Sequence, residues 1–599
     1  MSPAALLVAA SAGGAAEDDR AIVLEVAGVL AVVLIVAVAA FARRLRVAAP
    51  ILLVVVGVVA SYLPGVPTIE ISPDFVLDGL LPPILYAAAI RLSFVDFRRN
   101  LGTIVSLSVV LVVATAFGIG FVLFALLQYL LLPAAIALGA VLSPPDAVAA
   151  TAVGRRLGLP PRLLVVLEGE GLVNDATALV LFGTAITVLT SGQDPDLLVT
   201  GETFLFAVVV AVAIGLAVGF ATVFVRARLQ DPVLATAISL AVPFLAFAPT
   251  TIVGASGVLA VVVAGLYTGY ANPGAFSAVT RTSDRINWST IQFLLENAVF
   301  LLIGLQVRTL IEQVSSDPSE LTLEATVGIG LLTTALLIAL RFLWVGPLVL
   351  LLRLREQHAE VATLRNLQLL QHRLHEPGHS RLRRRTTRLR RRYARRRADL
   401  EQLRSQTIDW RGGVVLGWSG MRGVVTLAAA QSLPQNLPYR AQLVLIAFIV
   451  AVVTLMLQGG TLPALIRLLR ISGVDEEEDR RQLAALLEEL SYVGLAVLDD
   501  PGEVLDGTSD VDPEILERVR QATFLRAEAA WERSRGADQP LDATPHRLFR
   551  RLRLAVVDAE REHLLELRRQ GTYSPRIEDQ AQALLDLEET RLRPLPTAE

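Results

Sequence analysis

Leu167-Glu168-Gly169-Glu170-Gly171-Leu172-Val173-Asn174-Asp175 places three carboxylates and an amide at the head of an apolar run that continues to Leu189. A carboxylate at the centre of a bilayer costs roughly 2.5 to 3.5 kcal/mol on insertion scales, so one embedded in such a run is a functional-site candidate. Asp175 is that candidate, provided that its surroundings are membrane.

Composition says that they are. The mean hydropathy is +0.56, and charged residues concentrate in loops and after about residue 470 rather than spreading evenly. This pattern indicates a polytopic membrane protein with a soluble tail. The chain has no cysteine, which removes disulfides and thiol-based metal or redox sites. It also has no lysine, so Schiff-base chemistry is excluded and every basic side chain is a permanently charged guanidinium.

Thirteen stretches have the apolar length that a membrane helix needs. They fall near 21–41, 48–63, 75–91, 101–127, 130–153, 163–190, 203–225, 232–248, 254–270, 291–308, 325–352, 411–432 and 440–468. Arginines alternate strictly between the connecting loops. Arg43, Arg44 and Arg46, then Arg91, Arg98 and Arg99, then Arg155, Arg156 and Arg162, then Arg226 and Arg228, then Arg281 and Arg285 share one side, against little beyond Arg308 and Arg440 on the other. The positive-inside rule puts the first set in the cytoplasm, the N-terminus outside and the C-terminus inside. The expected organisation is an external segment 1–20, spans one to eleven over 21–352, a cytoplasmic insert 353–409, spans twelve and thirteen over 410–470, and a helical cytosolic tail 471–599 with a regulatory or dimer-supporting role. The insert is densely basic from Arg381 to Arg397, a composition suited to anionic lipid headgroups or an acidic partner. Nucleic acid is not expected as a partner.

Two spans carry helix-breaking sequence. Span five contains Ser143-Pro144-Pro145-Asp146, whose prolines delete successive amide donors. Span twelve contains Gly412, Gly413, Gly417, Gly420 and Gly423, with Trp418 and Arg422 among them. Interrupted segments at matching places in two halves point to a transporter's binding site. Spans five and twelve differ by seven, and an odd offset makes the two halves inverted in the membrane. The fold class is therefore an all-α membrane protein with inverted repeats.

The stretches LLPPILYAAAIRLSFVDFRRNLGTI, LSPPDAVAATAV, LEGEGLVNDATALVLF, GVLAVVVAGL, FLLENAVFLLIGLQV, RFLWVGPL, GWSGMRGVVTLAAAQSLP and VTLMLQGGTLP, in this order, resemble the monovalent cation/proton antiporter superfamily, in particular the NhaP and NHE-type sodium/proton exchangers. The resemblance implies thirteen helices, a scaffold that forms a homodimer, and a mobile six-helix core in the plasma membrane. It places the proton and cation carrier at Asp175, with Asn174 orienting or solvating the site and Asp146 contributing directly or through water. Backbone oxygens around Ser143 to Pro145 would complete the cation shell. It pairs Glu170 with Arg341 as a structural ion pair, and it gives Arg422 a part in transport or assembly. No resident cofactor is implied, only transported Na+, K+ or Li+ and H+. Two departures bear on the choice among these ions. Pro145 stands where many sodium-selective relatives have threonine, and Ala87 stands where some archaeal relatives have glutamate.

The expected activity is competition of cation and proton for Asp175, coupled to alternating access. With an Asn-Asp pair in place of two adjacent aspartates, the exchange is expected to be one for one and electroneutral. The alternative is a cation channel or a cation or pH sensor on the same fold. An enzyme is not expected: an intramembrane aspartyl protease would show other aspartate motifs, and the six histidines lie outside the predicted spans, which leaves no zinc site within them.

Overall fold

The computed structural model describes residues 28–42, 44, 48–64, 72–191, 197–229, 231–316, 321–375, 408–471, 476–499, 513–521 and 553–564, with a few positions between 581 and 592. Every regular element among them is helical. The chain divides into two compact units, Met1–Ile471 and Ser472–Glu599.

In the first unit the helices run α1 Gly28–Ala42, α2 Ala49–Ser61, α3 Leu81–Arg91, α4 Phe94–Leu126, α5 Leu132–Leu142, α6 Ala147–Arg156, α7 Pro161–Ser191, α8 Leu197–Arg226 and α9 Pro232–Ile252. They continue as α10 Gly257–Ala275, α11 Ala278–Leu305, α12 Val307–Ser316, α13 Leu323–His375, α14 Trp410–Trp418, α15 Val424–Gln431 and α16 Arg440–Leu469. Seven stretches of described helix are long and apolar enough to cross a membrane: they lie in α4, α7, α8, α9, α11 with α12, α13 and α16. Local sequence sets the helix ends. Prolines occupy the first turns of α2, α5 and α9, where the missing amide hydrogen has no partner to lose. Ser93, Asp231, Ser256 and Ser277 accept amide hydrogens at the starts of α4, α9, α10 and α11. Gly158, at φ 70°, takes the left-handed conformation that turns the chain between α6 and α7.

Among the helices that extend beyond the expected spans, three do so for a visible reason. α4 begins at Phe94, because Ser93 caps a charged first turn that sits ahead of the apolar stretch. α11 begins at Ala278 rather than near 291, since its charged first turns are stabilised by a buried pair in which Arg226 donates to Asp284 at 2.6 Å. α13 runs on to His375, so the first part of the expected insert is a continuation of a membrane helix. The arginine-rich centre from Arg381 to Arg397 and the external segment 1–20 lie outside the described residues.

Two large apolar cores form inside this unit, beside a small third cluster of Val76, Val299 and Ala428. One gathers Ile35, Leu53, Leu138, Val166, Leu167, Phe300, Leu337, Leu416 and Ile446, among others; the second gathers Tyr86, Ile104, Leu172, Ala176, Val242, Val261 and Trp288. Helix α7 sides with the first core at Val166 and Leu167 and with the second at Leu172 and Ala176. Asn174 and Asp175 therefore stand where the two cores meet.

The second unit carries α17, Glu476–Ala496, which ends in a single 3₁₀ turn, Val497–Asp499. Short helical stretches follow at 513–521 and 553–564. Ion pairs join Arg481 to Glu477, Arg553 to Glu588 and Arg561 to Glu589, at 2.5 to 2.6 Å.

Candidate functional site

The prolines of Ser143-Pro144-Pro145-Asp146 end α5 at Leu142, and the helix resumes as α6 at Ala147. The glycine-rich stretch likewise stops at Trp418 and resumes at Val424. The two non-helical links touch: the Asp146 amide donates to the Met421 carbonyl at 2.5 Å. Non-helical backbone in a membrane interior must have its polar groups satisfied by protein or water. Here side chains do much of that.

Arg422 supplies the largest share. Its Nε donates to the Leu142 carbonyl at 3.0 Å, Nη2 reaches the Ser143 carbonyl at 3.4 Å, and Nη1 contacts the Gly420 carbonyl. Its own amide donates to Thr454 Oγ1 at 3.0 Å. The guanidinium therefore sits at the C-terminal end of α5, where the helix dipole favours positive charge. Arg341 does the same for α14. Its Nη1 and Nη2 donate to the two Glu170 oxygens at 2.6 and 2.9 Å, while Nε donates to the Leu416 carbonyl at 3.1 Å. Glu170 and Arg341 are both buried, so this two-pronged pair is shielded from water.

Asn174 Nδ2 donates to the Pro145 carbonyl at 2.7 Å, and its buried Oδ1 has no hydrogen-bond partner among the described residues. Asp146 caps α6: its Oδ1 accepts the Val148 amide hydrogen at 2.8 Å, which commits one oxygen and leaves the other. Ser143 Oγ donates back to the Ala140 carbonyl at 2.8 Å, which fixes the hydroxyl and leaves its lone pairs for a further partner. Asp175 is close enough to Asp146 for their charges to interact, and its half-buried carboxylate makes no hydrogen bond or ion pair among the described residues. Ser143, Pro145, Asp146, Asn174 and Arg422 thus meet where the two links touch, with Asp175 near Asp146. Oxygen atoms dominate this meeting point, and the nearby guanidinium groups are committed to Glu170 and to backbone carbonyls.

The sequence profile described as "Sodium/hydrogen exchanger, transmembrane" matches residues 30–468. The chain belongs to the sodium/hydrogen exchanger family. This exchanger is 31% identical over 568 residues to an uncharacterised Na+/H+ exchanger of Mycobacterium tuberculosis, covering 92% of this chain and 93% of the relative. It is 27% identical over 438 residues to the Na+/H+ antiporter ApNhaP of Aphanothece halophytica, covering 73% and 72% of the two chains. Its fold is similar to that of the sodium proton antiporter MjNhaP1 from Methanocaldococcus jannaschii, with a TM-score of 0.52 at 17% identity over 73% of this chain and 96% of that one. The family and the seven apolar helices together make the protein a membrane-spanning sodium/hydrogen exchanger family member.

Sequence reasoning passed over two features of the exchanger's site. Thr454, whose hydroxyl accepts the Arg422 amide hydrogen, carries no signal of its own in an apolar span. Glu296 does carry one. It is a carboxylate within FLLENAVFLLIGLQV, and the argument that singled out Asp175 applies to it equally. In the structure it interacts electrostatically with Asp146 and with Arg91.

Proposed function

We propose that this protein is a secondary transporter that exchanges a monovalent cation, Na+ first, for H+ with one-for-one electroneutral stoichiometry. Cation and proton compete for Asp175. The observation that carries this reading is the arrangement of charge at the crossing. Asp175 has no basic partner among the described residues, whereas Glu170 holds Arg341 and Arg422 is spent on carbonyls. A buried anion without a countercharge is costly, so a mobile positive charge must neutralise it. A proton on the carboxyl or a cation among oxygen ligands each meets that need, and neither tolerates the other. Hard monovalent cations accept the oxygens on offer: the Asp175 carboxylate, the second Asp146 oxygen, Asn174 Oδ1 and the lone pairs of Ser143, with the Pro145 carbonyl within reach of the same cluster.

In this reading the helices form thirteen crossings, with α5–α6 and α14–α15 each counted as one interrupted crossing. Those two belong to a mobile core that changes access only when Asp175 is neutralised. The protein works as a homodimer in the plasma membrane, with the N-terminus outside and the C-terminus in the cytoplasm, where the insert faces anionic lipid. An inward proton gradient then drives cation export.

The test is cation-induced dequenching of an internal pH dye in proteoliposomes, with Na+, K+ and Li+ in turn, Asp175→Asn as control and a valinomycin clamp. Wild-type protein is expected to give a cation-specific signal that the clamp leaves unchanged and that the variant abolishes. A wild-type protein that moves cations without proton coupling sinks the exchanger reading in favour of a channel.

A further inference from the structure

Gln458, in the stretch VTLMLQGGTLP, is wholly buried, yet neither its Oε1 nor its Nε2 has a hydrogen-bond partner among the described residues. A buried polar group left without a partner is costly, and here both ends of an amide are left so. The backbone at this place is irregular too. Leu455–Gly459 forms a single π-turn inside α16, a feature that recurs at functional sites.

This turn lies against the second break. Thr454 Oγ1 accepts the Arg422 amide hydrogen at 3.0 Å, a Cβ on Gly459 would lie 3.0 Å from Met421 Sδ, and Thr461 Oγ1 accepts from Trp418 Nε1 at 2.8 Å. From Thr454 to Thr461, α16 therefore runs beside the link between α14 and α15, and Gln458 falls within that run. On the link, the amides of Gly420 and Met421 make no hydrogen bond among the described residues, and both residues are buried. Orphaned donors and an orphaned acceptor are thus gathered behind the break. A cation gives the amide hydrogens nothing to bond, and an anion gives Gln458 Oε1 nothing. Water both donates and accepts, and buried waters serve polar groups that the protein leaves unmatched.

We propose that Gln458 and the amides of the link hold a buried water behind the second break, and that through it Gln458 is a positioning residue for the carrier site. Met421 is the pivot. Its amide is one donor to the water, and its carbonyl accepts the Asp146 amide hydrogen at 2.5 Å. A change at Gln458 is thereby passed through one residue to Asp146, which stands beside Asp175. The effect on transport rests on the exchanger reading above, whereas the water does not.

The experiment is footprinting of the full-length protein in detergent with hydroxyl radicals from an X-ray pulse, which makes them from bound as well as bulk water. The chain has three methionines, Met1, Met421 and Met456, whose thioethers oxidise readily, and no cysteine to compete. Met421 should be oxidised despite its burial. Gln458→Leu should lower that oxidation about fivefold and leave Met456 unchanged, and Gln458→Asn, which keeps an amide, should restore most of it. In proteoliposomes, Gln458→Leu should raise the half-saturating Na+ concentration about tenfold at an unchanged melting temperature, because Asp146 is no longer held in register. A merely structural role would lower the melting temperature and leave half-saturation alone. Met421 unmarked in wild type, or marked equally in the leucine variant, overturns the water, and the wild-type footprint decides even if Gln458→Leu does not fold. Reduced marking with unchanged half-saturation overturns the positioning role. A wild-type protein without proton-coupled flux overturns the exchanger reading instead and leaves the footprint as it is.

Discussion

At the scale of the residue, the site depends on closeness that a single methyl group would spoil. A Cβ at Gly423 would lie 2.5 Å from Asp146 Oδ2 and 2.8 Å from its Cβ and Cγ, so the carboxylate, whose Oδ1 accepts the Val148 amide hydrogen, would have to shift. Gly423→Ala should cut proton-coupled transport about tenfold or more while leaving the protein folded, since it displaces a reacting group by a fraction of an ångström. Gly460→Ala, with open space around the added carbon, is the control and should transport normally. Glu170 calls for a different outcome. Glu170→Gln leaves the buried Arg341 with an amide in place of a carboxylate, and losing one member of a buried pair costs about 3 to 5 kcal/mol. A thermal unfolding scan should show a clear drop in midpoint for Glu170→Gln and almost none for Asp175→Asn, which has no ion pair to lose among the described residues.

At the scale of the element, backbone chemistry decides where helices stop, and small residues decide how closely they cross. Helices α2 and α11 cross at Gly57 and Gly304. A Cβ on Gly57 would come within 2.5 Å of the Leu301 carbonyl oxygen and 2.9 Å of the Gly304 Cα, all backbone atoms. Close backbone approach through small residues is the usual glue of helices in lipid. Gly57→Val must force these helices apart at a cost of about 1 to 3 kcal/mol, seen as a lower melting temperature and a smaller monodisperse fraction in detergent. Gly183→Val, in α7 with nothing near its missing Cβ, should leave both readouts unchanged. The breaks themselves were legible beforehand, because two prolines in succession and five glycines within twelve residues act through local sterics. What satisfies the freed carbonyls was not, since Arg422 reaches Leu142 and Ser143 across some 280 residues of chain.

At the scale of the whole molecule, the buried residues of both apolar cores in the first unit lie between Ile35 and Ile466, so its packing is complete before the boundary at Ile471. A chain ended after Ile471 should therefore elute as a single species and keep cation-dependent proton flux that Asp175→Asn abolishes. Aggregation or inactivity of that chain would show that the second unit is needed for the membrane unit to fold or work. The long α13 carries a second link that bears on this scale. Arg162, at the start of the carrier helix α7, donates to Glu356 at 2.5 Å and to Asn100 at 2.9 Å. The extension of α13 beyond its apolar stretch is therefore tied to the helix that holds Asp175, in addition to the Glu170–Arg341 pair deeper in the bilayer.

By itself the sequence determined that this is a helical membrane protein, where proline and glycine interrupt its helices and which carboxylates lie within apolar stretches. Apolar length, proline, glycine and isolated charge act over a few residues, so their consequences can be read along the chain. Only the tertiary structure decided that the two broken stretches meet through Asp146 and Met421, and that Arg341 and Arg422 are consumed by Glu170 and by helix ends. Those facts join residues tens to hundreds of positions apart, and which charges are left without a partner in a low-dielectric interior is settled only when the helices pack.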